Sequence, residues 1–245
     1  MPVRGDWSWT GSSVRGPRHL AEGTPNQDAW RVTCQSKFFV AVVCDGLGSR
    51  THSGIGARAA CRAVVAAAGS WSKAGSSSTE ALLRLIHAQW AVELGQRDRE
   101  ECATTCLFAL FTRDGRGLLA QLGDGLIYLR SRSLGAVTVS GAARGGFTNE
   151  TTGLGIATSL SAWSTTEVST VSPGDCVMIA TDGVSDDLID DQRDALLVHA
   201  AMRYPPQTAV SSRALARELR AWPAARHTDD KTILFAWHGA IGVHT

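Results

Sequence analysis

Residues Phe38 to Cys44, FFVAVVC, are seven consecutive apolar positions. A run of that length, rich in valine and phenylalanine, reads as a strand buried on both faces. It constrains the fold, because something apolar has to cover each side of the sheet that holds it. The run stops abruptly at Asp45-Gly46 and enters a small polar loop, GLGSRTHSG. Asp-Gly is good turn chemistry. It also puts a carboxylate at the rim of a sheet, where a ligand can reach it.

The remaining elements follow from period and punctuation. DAWRVTCQ (28–35) pairs with KFFVAVVCD (37–45) as two strands. Residues 53–71 are alanine-rich and helical, with small side chains that allow close packing on a sheet. The loop 75–80 ends in helix-cap chemistry, and 81–94 places Leu82, Ile86, Trp90 and Leu94 on one helical face. Strands are expected at 102–112, 118–124, 126–131, 163–169, 175–182 and 231–239, and helices at 185–204 and 211–222. Residues 1–20 read as a loose lead-in or an edge strand, and 141–160 as a surface loop. Blocks of strand, helix and strand predict an α+β fold with antiparallel sheets, in a single domain spanning 1–245.

Composition excludes several function classes. At 44% hydrophobic and 19% charged residues, the chain is globular rather than disordered. A net charge of +1 and scattered arginines provide no basic stripe, so no nucleic-acid partner is expected. No apolar run reaches membrane-span or signal-peptide length, so the expectation is a cytoplasmic protein without membrane contact. Cys34, Cys44, Cys61, Cys102, Cys106 and Cys176 lack Cys-x-x-Cys spacing and read as buried free thiols rather than a zinc site. Cys102 and Cys106 would share one face if both lay on a strand. P-loop, Gly-x-Ser-x-Gly and His-Glu-x-x-His patterns are missing, as is the Asp-x-Asp of haloacid-type phosphatases.

The acidic residues carry the functional signal. Asp-Gly occurs at 45–46, 114–115, 124–125 and 182–183. Asp114-Gly115 is accounted for by a hairpin turn. Asp45, Asp124 and Asp182 each end an apolar strand, Asp229-Asp230 precedes one, and Asp28 opens another. Carboxylates that converge repel one another unless a cation neutralises them. An all-oxygen set suits a hard cation, Mg²⁺ or Mn²⁺. Two such ions about 4 Å apart can activate water and clamp a phosphoryl group.

The stretches NQDAW (26–30), VVCDGLGSRTHSGIGARAA (42–60), LGDGLIYLRS (122–131), ATDGVSDDL (180–188) and TDDKTILFA (228–236) occur in an order that resembles the metal-dependent, type 2C serine/threonine protein phosphatases. The likeness is to their compact bacterial branch, in which FTNET (147–151) also has a counterpart, and it covers roughly residues 12–238. It implies a four-layer α-β-β-α sandwich with a dinuclear Mn²⁺ or Mg²⁺ site at one end. By the resemblance, Asp45 bridges the ions and the Gly46 carbonyl ligates one. Asp182 and Asp230 complete the ligand set of the second metal, and Asp28, behind them, holds metal-bound waters. Asp124, with Asp182, matches a third, weaker metal position. The implied reaction is hydrolysis of phosphoserine and phosphothreonine monoesters by a metal-bridging hydroxide. The implied partners are a phosphorylated protein and the serine/threonine kinase it opposes.

The pattern departs from the family in two places. The arginine five residues before the Asp of the first motif, which grips phosphate, is Gly23 here, and the acidic neighbour of Asp28 is Gln27. Arg18 or His19 is the candidate replacement for the arginine, Asn149 and Glu150 are candidates to line the cleft, and His52 is a candidate general acid. The missing arginine keeps a second function open: a weakly catalytic relative that binds phosphoprotein or a partner without turnover.

Overall fold

Strand β3 (Phe38–Cys44) sends alternate side chains into two different cores. Phe38, Val40, Val42 and Cys44 face helices, while Phe39, Ala41 and Val43 face a second sheet. That is why the run is apolar at every position rather than every other one. The computed structural model describes residues 7–75, 78–139, 152–206, 208–222 and 228–239.

β3 lies in a sheet with β2 (Ala29–Cys34), β4 (Cys106–Thr112), β5 (Gly117–Leu122) and β8 (Ser164–Val168), in the order β2-β3-β4-β5-β8. The second sheet has the order β1-β10-β9-β6-β7, with β1 (Trp7–Val14), β6 (Leu126–Ser131), β7 (Gly135–Val139), β9 (Cys176–Ala180) and β10 (Lys231–His238). Every pairing between these strands is antiparallel. The sheets pack face to face through Phe39, Val43, Leu107, Phe111, Ile127, Ile179 and Leu234.

Helices cover the outer faces. α2 (Ser53–Lys73) and α3 (Thr79–Leu94) pack on the β3 sheet. α5 (Arg193–Arg203) and α6 (Ala209–Arg220) pack on the β10 sheet, and the short α1 (Pro17–Glu22) and α4 (Asp182–Ser185) lie at strand ends. The result is the four-layer α-β-β-α sandwich. α2 achieves its close approach through small residues: a Cβ on Gly56 would lie 1.7 Å from the Cys102 carbonyl oxygen. α3 starts where Ser78 accepts a hydrogen bond from Ala81 N, the expected cap.

Several expectations are corrected. The helix expected at 185–204 is broken into α4, a 3-10 turn at Asp190–Gln192, and α5. Asp186/Asp190 and Asp187/Asp191 are like charges at i, i+4, and aspartate is a poor helix interior, so a continuous helix is disfavoured. The strand expected from 102 starts only at Cys106, so Cys102 packs in the preceding turn and does not share a strand face with it. All six cysteines are free, but Cys34 and Cys176 are only half-buried. Residues 7–14 form an edge strand, whereas α1 and β7 were not expected. Among the described residues no helix is long and apolar enough to cross a membrane.

Candidate metal centre

Four strand ends meet at one end of the sandwich. Asp45 follows β3, Asp124 sits in the turn between β5 and β6, Asp182 opens α4 after β9, and Asp229 precedes β10. Together with the Gly46 backbone they line a cleft of about 330 Å³.

Each carboxylate is placed by local backbone chemistry. Asp45 is held at both main-chain ends. Its N–H donates to Thr105 Oγ1 at 2.9 Å. Its carbonyl accepts from Thr104 Oγ1 at 2.7 Å and Thr105 N at 2.8 Å. Residue 46 has to be glycine here, since a Cβ would come within 2.7 Å of the Ser53 backbone where α2 begins. At Gly183 a Cβ would lie 2.0 Å from the Asp230 carbonyl oxygen. That close contact seats α4 on the entry to β10 and brings Asp182 to the same cleft as Asp229.

Asp28 lies behind Asp45 and is 6% exposed. Its Oδ2 accepts from Thr232 Oγ1 at 2.7 Å and Thr181 Oγ1 at 3.0 Å. Its Oδ1 is buried and receives no hydrogen bond. Burial pushes the Asp28 carboxyl up to about 7, with the charge of Asp230 adding to the rise, while the two threonine hydroxyls and contact with Asp45 pull it back. Asp45 is held well above the usual carboxylate range, first by burial and then by the charges of Asp28 and Asp182. Asp182 is raised by burial and by Asp124, and its Oδ1 is also buried without a donor.

These observations fit a divalent cation. The carboxylates crowd one another, buried oxygens lack donors, and Asp28, Asp45 and Asp182 are each pushed toward the neutral form. A hard cation accepting oxygen ligands removes all three costs at once.

The structure separates Asp229 from Asp230. Asp230 does not line the cleft. It is 2% exposed, and its oxygens accept from Gly16 N at 2.7 Å and Gln27 N at 2.6 Å, with His19 Nδ1 2.9 Å from Oδ2. Its carboxylate ties the chain before α1 and the turn before β2 to the start of β10. Asp229 takes the place on the cleft wall that the resemblance gave to Asp230. His19, Asp229 and Asp230 each offer a ligand atom within 4.8 Å of the others, but His19 and Asp230 already face one another.

The remaining candidates are dispersed. Arg18 Nη2 lies 3.2 Å from both oxygens of Asp229. His19 is buried against Asp230. Gly23 ends α1 with φ of 71°, a left-handed position suited to glycine. His52 is exposed at the start of α2 and does not line the cleft. Asn149 and Glu150, with the FTNET segment, lie outside the described residues.

Sequence reasoning missed the place of Asp229 on the cleft wall and the supporting threonines 104, 105, 181 and 232. The threonines had a readable signal, because each adjoins or faces a strand-end acid in an otherwise apolar run. For Asp229 there was none, since either member of an acidic pair before a strand can face the site.

The family model for protein phosphatase 2C matches residues 15–222. No curated protein matches the chain significantly by sequence. Solved structures of similar fold include the catalytic domain of the serine/threonine phosphatase PstP in complex with two manganese ions. That match has 19% identity and a TM-score of 0.60, covering 96% of this chain and 99% of that one. MsPP of Mycobacterium smegmatis, in complex with cacodylate, matches at 18% identity and a TM-score of 0.58, covering 96% and 100%. PppA, a regulatory component of the type VI secretion system of Pseudomonas aeruginosa, matches at 16% identity and 0.64, covering 95% and 98%. At these identities the likeness shows the fold.

Proposed function

The chain belongs to the protein phosphatase 2C family, and from that premise we propose that it hydrolyses phosphoserine and phosphothreonine monoesters of proteins, using divalent cations held in the cleft. The observation that supports this most is the convergence of Asp45, Asp124, Asp182 and Asp229 from four separate strand ends. In this reading Asp45, the Gly46 carbonyl, Asp182 and Asp229 hold two Mn²⁺ or Mg²⁺ ions. Asp124, next to Asp182, supplies a further, weaker position. Bound cations supply the positive charge that activates water and stabilises a phosphoryl group during in-line attack.

The chain's own residues do the positioning. Thr104 and Thr105 fix the Asp45 backbone, so its carboxylate does not swing out of the cleft. Asp28, itself fixed by Thr181 and Thr232, supports Asp45 from behind. Asp230 keeps β10 and the residues before β2 in register, so that Asp28 and Asp229 arrive together. His52 is given no proton-transfer role. The partner is a phosphoprotein made by a serine/threonine kinase.

The test is hydrolysis of para-nitrophenyl phosphate and a phosphothreonine peptide with EDTA, Mg²⁺ or Mn²⁺. Activity should require a cation and be lost in Asp45→Asn while the fold survives. A folded protein that binds Mn²⁺ but hydrolyses neither substrate would instead be a phosphoprotein-binding module.

A further inference from the structure

Among the described residues that line the cleft, one is basic: Arg50. It stands in the loop between β3 and α2, downstream of Asp45 and Gly46. That loop is pinned to the residues ahead of β4. Leu47 N donates to Ala103 O at 3.0 Å and His52 N to Glu101 O at 2.9 Å. Thr51 N donates to Glu101 Oε2 at 3.1 Å, and Arg50 N itself closes a turn onto Leu47 O at 2.9 Å.

The Arg50 side chain is half-buried, and its Nε is hidden from solvent with no hydrogen-bond partner. A buried guanidinium N–H without an acceptor is uncommon and calls for an explanation. The Glu101 carboxyl, held low first by hydrogen bonds from Thr51, also feels the charge of Arg50, whereas Arg18 Nη2 sits on both oxygens of Asp229. The carboxylates that share the cleft with Arg50 are the ones assigned to the cations. Once cations neutralise those carboxylates, a guanidinium on the same wall favours a dianion. Its planar fork matches phosphate oxygens and its charge does not titrate.

We propose that Arg50 binds the phosphate group of the substrate, supplying from the loop after β3 the grip that the glycine at position 23 cannot. The proposal rests on the metallophosphatase reading and names a residue that this reading left unassigned. Arg50 lines the same cleft as Asp45, Asp182 and Asp229, so a phosphoryl group there would meet its guanidinium on the wall formed by the loop after β3.

The experiment compares wild type with Arg50→Ala and Arg50→Lys, each checked for folding by thermal melt and for Mn²⁺ affinity by calorimetry. The expected result is a rise of about ten- to hundredfold in KM for para-nitrophenyl phosphate and in the inhibition constant of inorganic phosphate. kcat should fall much less, Arg50→Lys should recover part of the loss, and Mn²⁺ affinity should stay within about twofold, since Arg50 is no metal ligand. KM and phosphate inhibition unchanged in Arg50→Ala would overturn the assignment. If wild type hydrolyses nothing, the phosphatase reading fails separately, and binding of inorganic phosphate to the Mn²⁺-loaded proteins decides. Binding by wild type and its loss in Arg50→Ala would uphold the role of Arg50, whereas equal binding, or none by wild type, would overturn it.

Discussion

Strand β9 is flanked by an aspartate at each end, Asp175 fully buried and Asp182 half-buried, and the two do opposite things. Asp175, just before the strand, is 0% exposed and surrounded by donors. Its Oδ1 accepts from Arg132 N at 2.8 Å, and its Oδ2 from Ser172 N at 3.0 Å and Ser131 Oγ at 3.3 Å. Asp182, just after the strand, is surrounded by acceptors. Asp45 and Asp124 lie beside it, and one of its own oxygens is buried with no donor. Each has a carboxylate oxygen buried from solvent, so burial of the oxygen is not what distinguishes the two. Between these two, the count of donors is. Three N–H or O–H groups make Asp175 a clamp on a turn, while other carboxylates make Asp182 half of a cation site.

The comparison can be broken most directly at its two poles. Asp182→Asn should lower metal-dependent hydrolysis by about 10³-fold or more and leave the metal-free protein at least as stable as before, because it removes repulsion. Steady-state kinetics and a urea melt without metal check both halves. Asp175→Ala should do the reverse, costing about 3 kcal/mol or more of stability by orphaning buried donors. Its activity per folded molecule should stay near wild type, and a loss below about 1 kcal/mol would contradict the donor argument.

The adjacent pair Asp229-Asp230 sharpens the same contrast. Asp230→Ala should cost about 2–3 kcal/mol by urea denaturation, since it strands the N–H groups of Gly16 and Gln27. Asp229→Ala should cost less, about 1 kcal/mol, because its oxygens accept from the exposed Arg18 and from the Asp230 N–H, and it should weaken Mn²⁺ binding, read by calorimetry.

pH provides a gentler test. A carboxyl raised to about 7 in the fold, as at Asp28, holds a proton that the unfolded chain has already released above its ordinary value near 3.8. Its contribution to stability is complete below that lower value and is lost as pH rises through about 7. The metal-free protein should thus melt at a lower temperature at pH 8 than at pH 6, and saturating Mn²⁺ should remove the difference. The smallest expected effect is Arg18→Ala. Its ion pair with Asp229 is 43% and 41% exposed, so the loss should be below about 1 kcal/mol in a thermal melt at moderate salt.

Much of the architecture was legible because strand and helix periods are local. The uninterrupted run of β3 announced two covered faces, and the spacing of Leu82, Ile86 and Trp90 announced α3. β7 gave no such signal, because most of its side chains are exposed. The break between α4 and α5 was obscured by an acidic run that suits a helix start but not a helix interior.

The chain by itself determined that carboxylates would stand at the ends of buried strands. An apolar run ends where a charge begins, and the glycine after it allows the turn. It also determined the oxygen-only chemistry of any site they form. Which carboxylates meet was decided by tertiary structure alone. Asp230 turns inward because N–H groups from Gly16 and Gln27, more than two hundred positions away, arrive to bind it, and this leaves Asp229 facing the cleft. Arg50 becomes a candidate ligand for phosphate only when the loop after β3 is pinned beside those same carboxylates. Side-chain direction at a strand end depends on the partners that reach it, and those partners are brought by the fold.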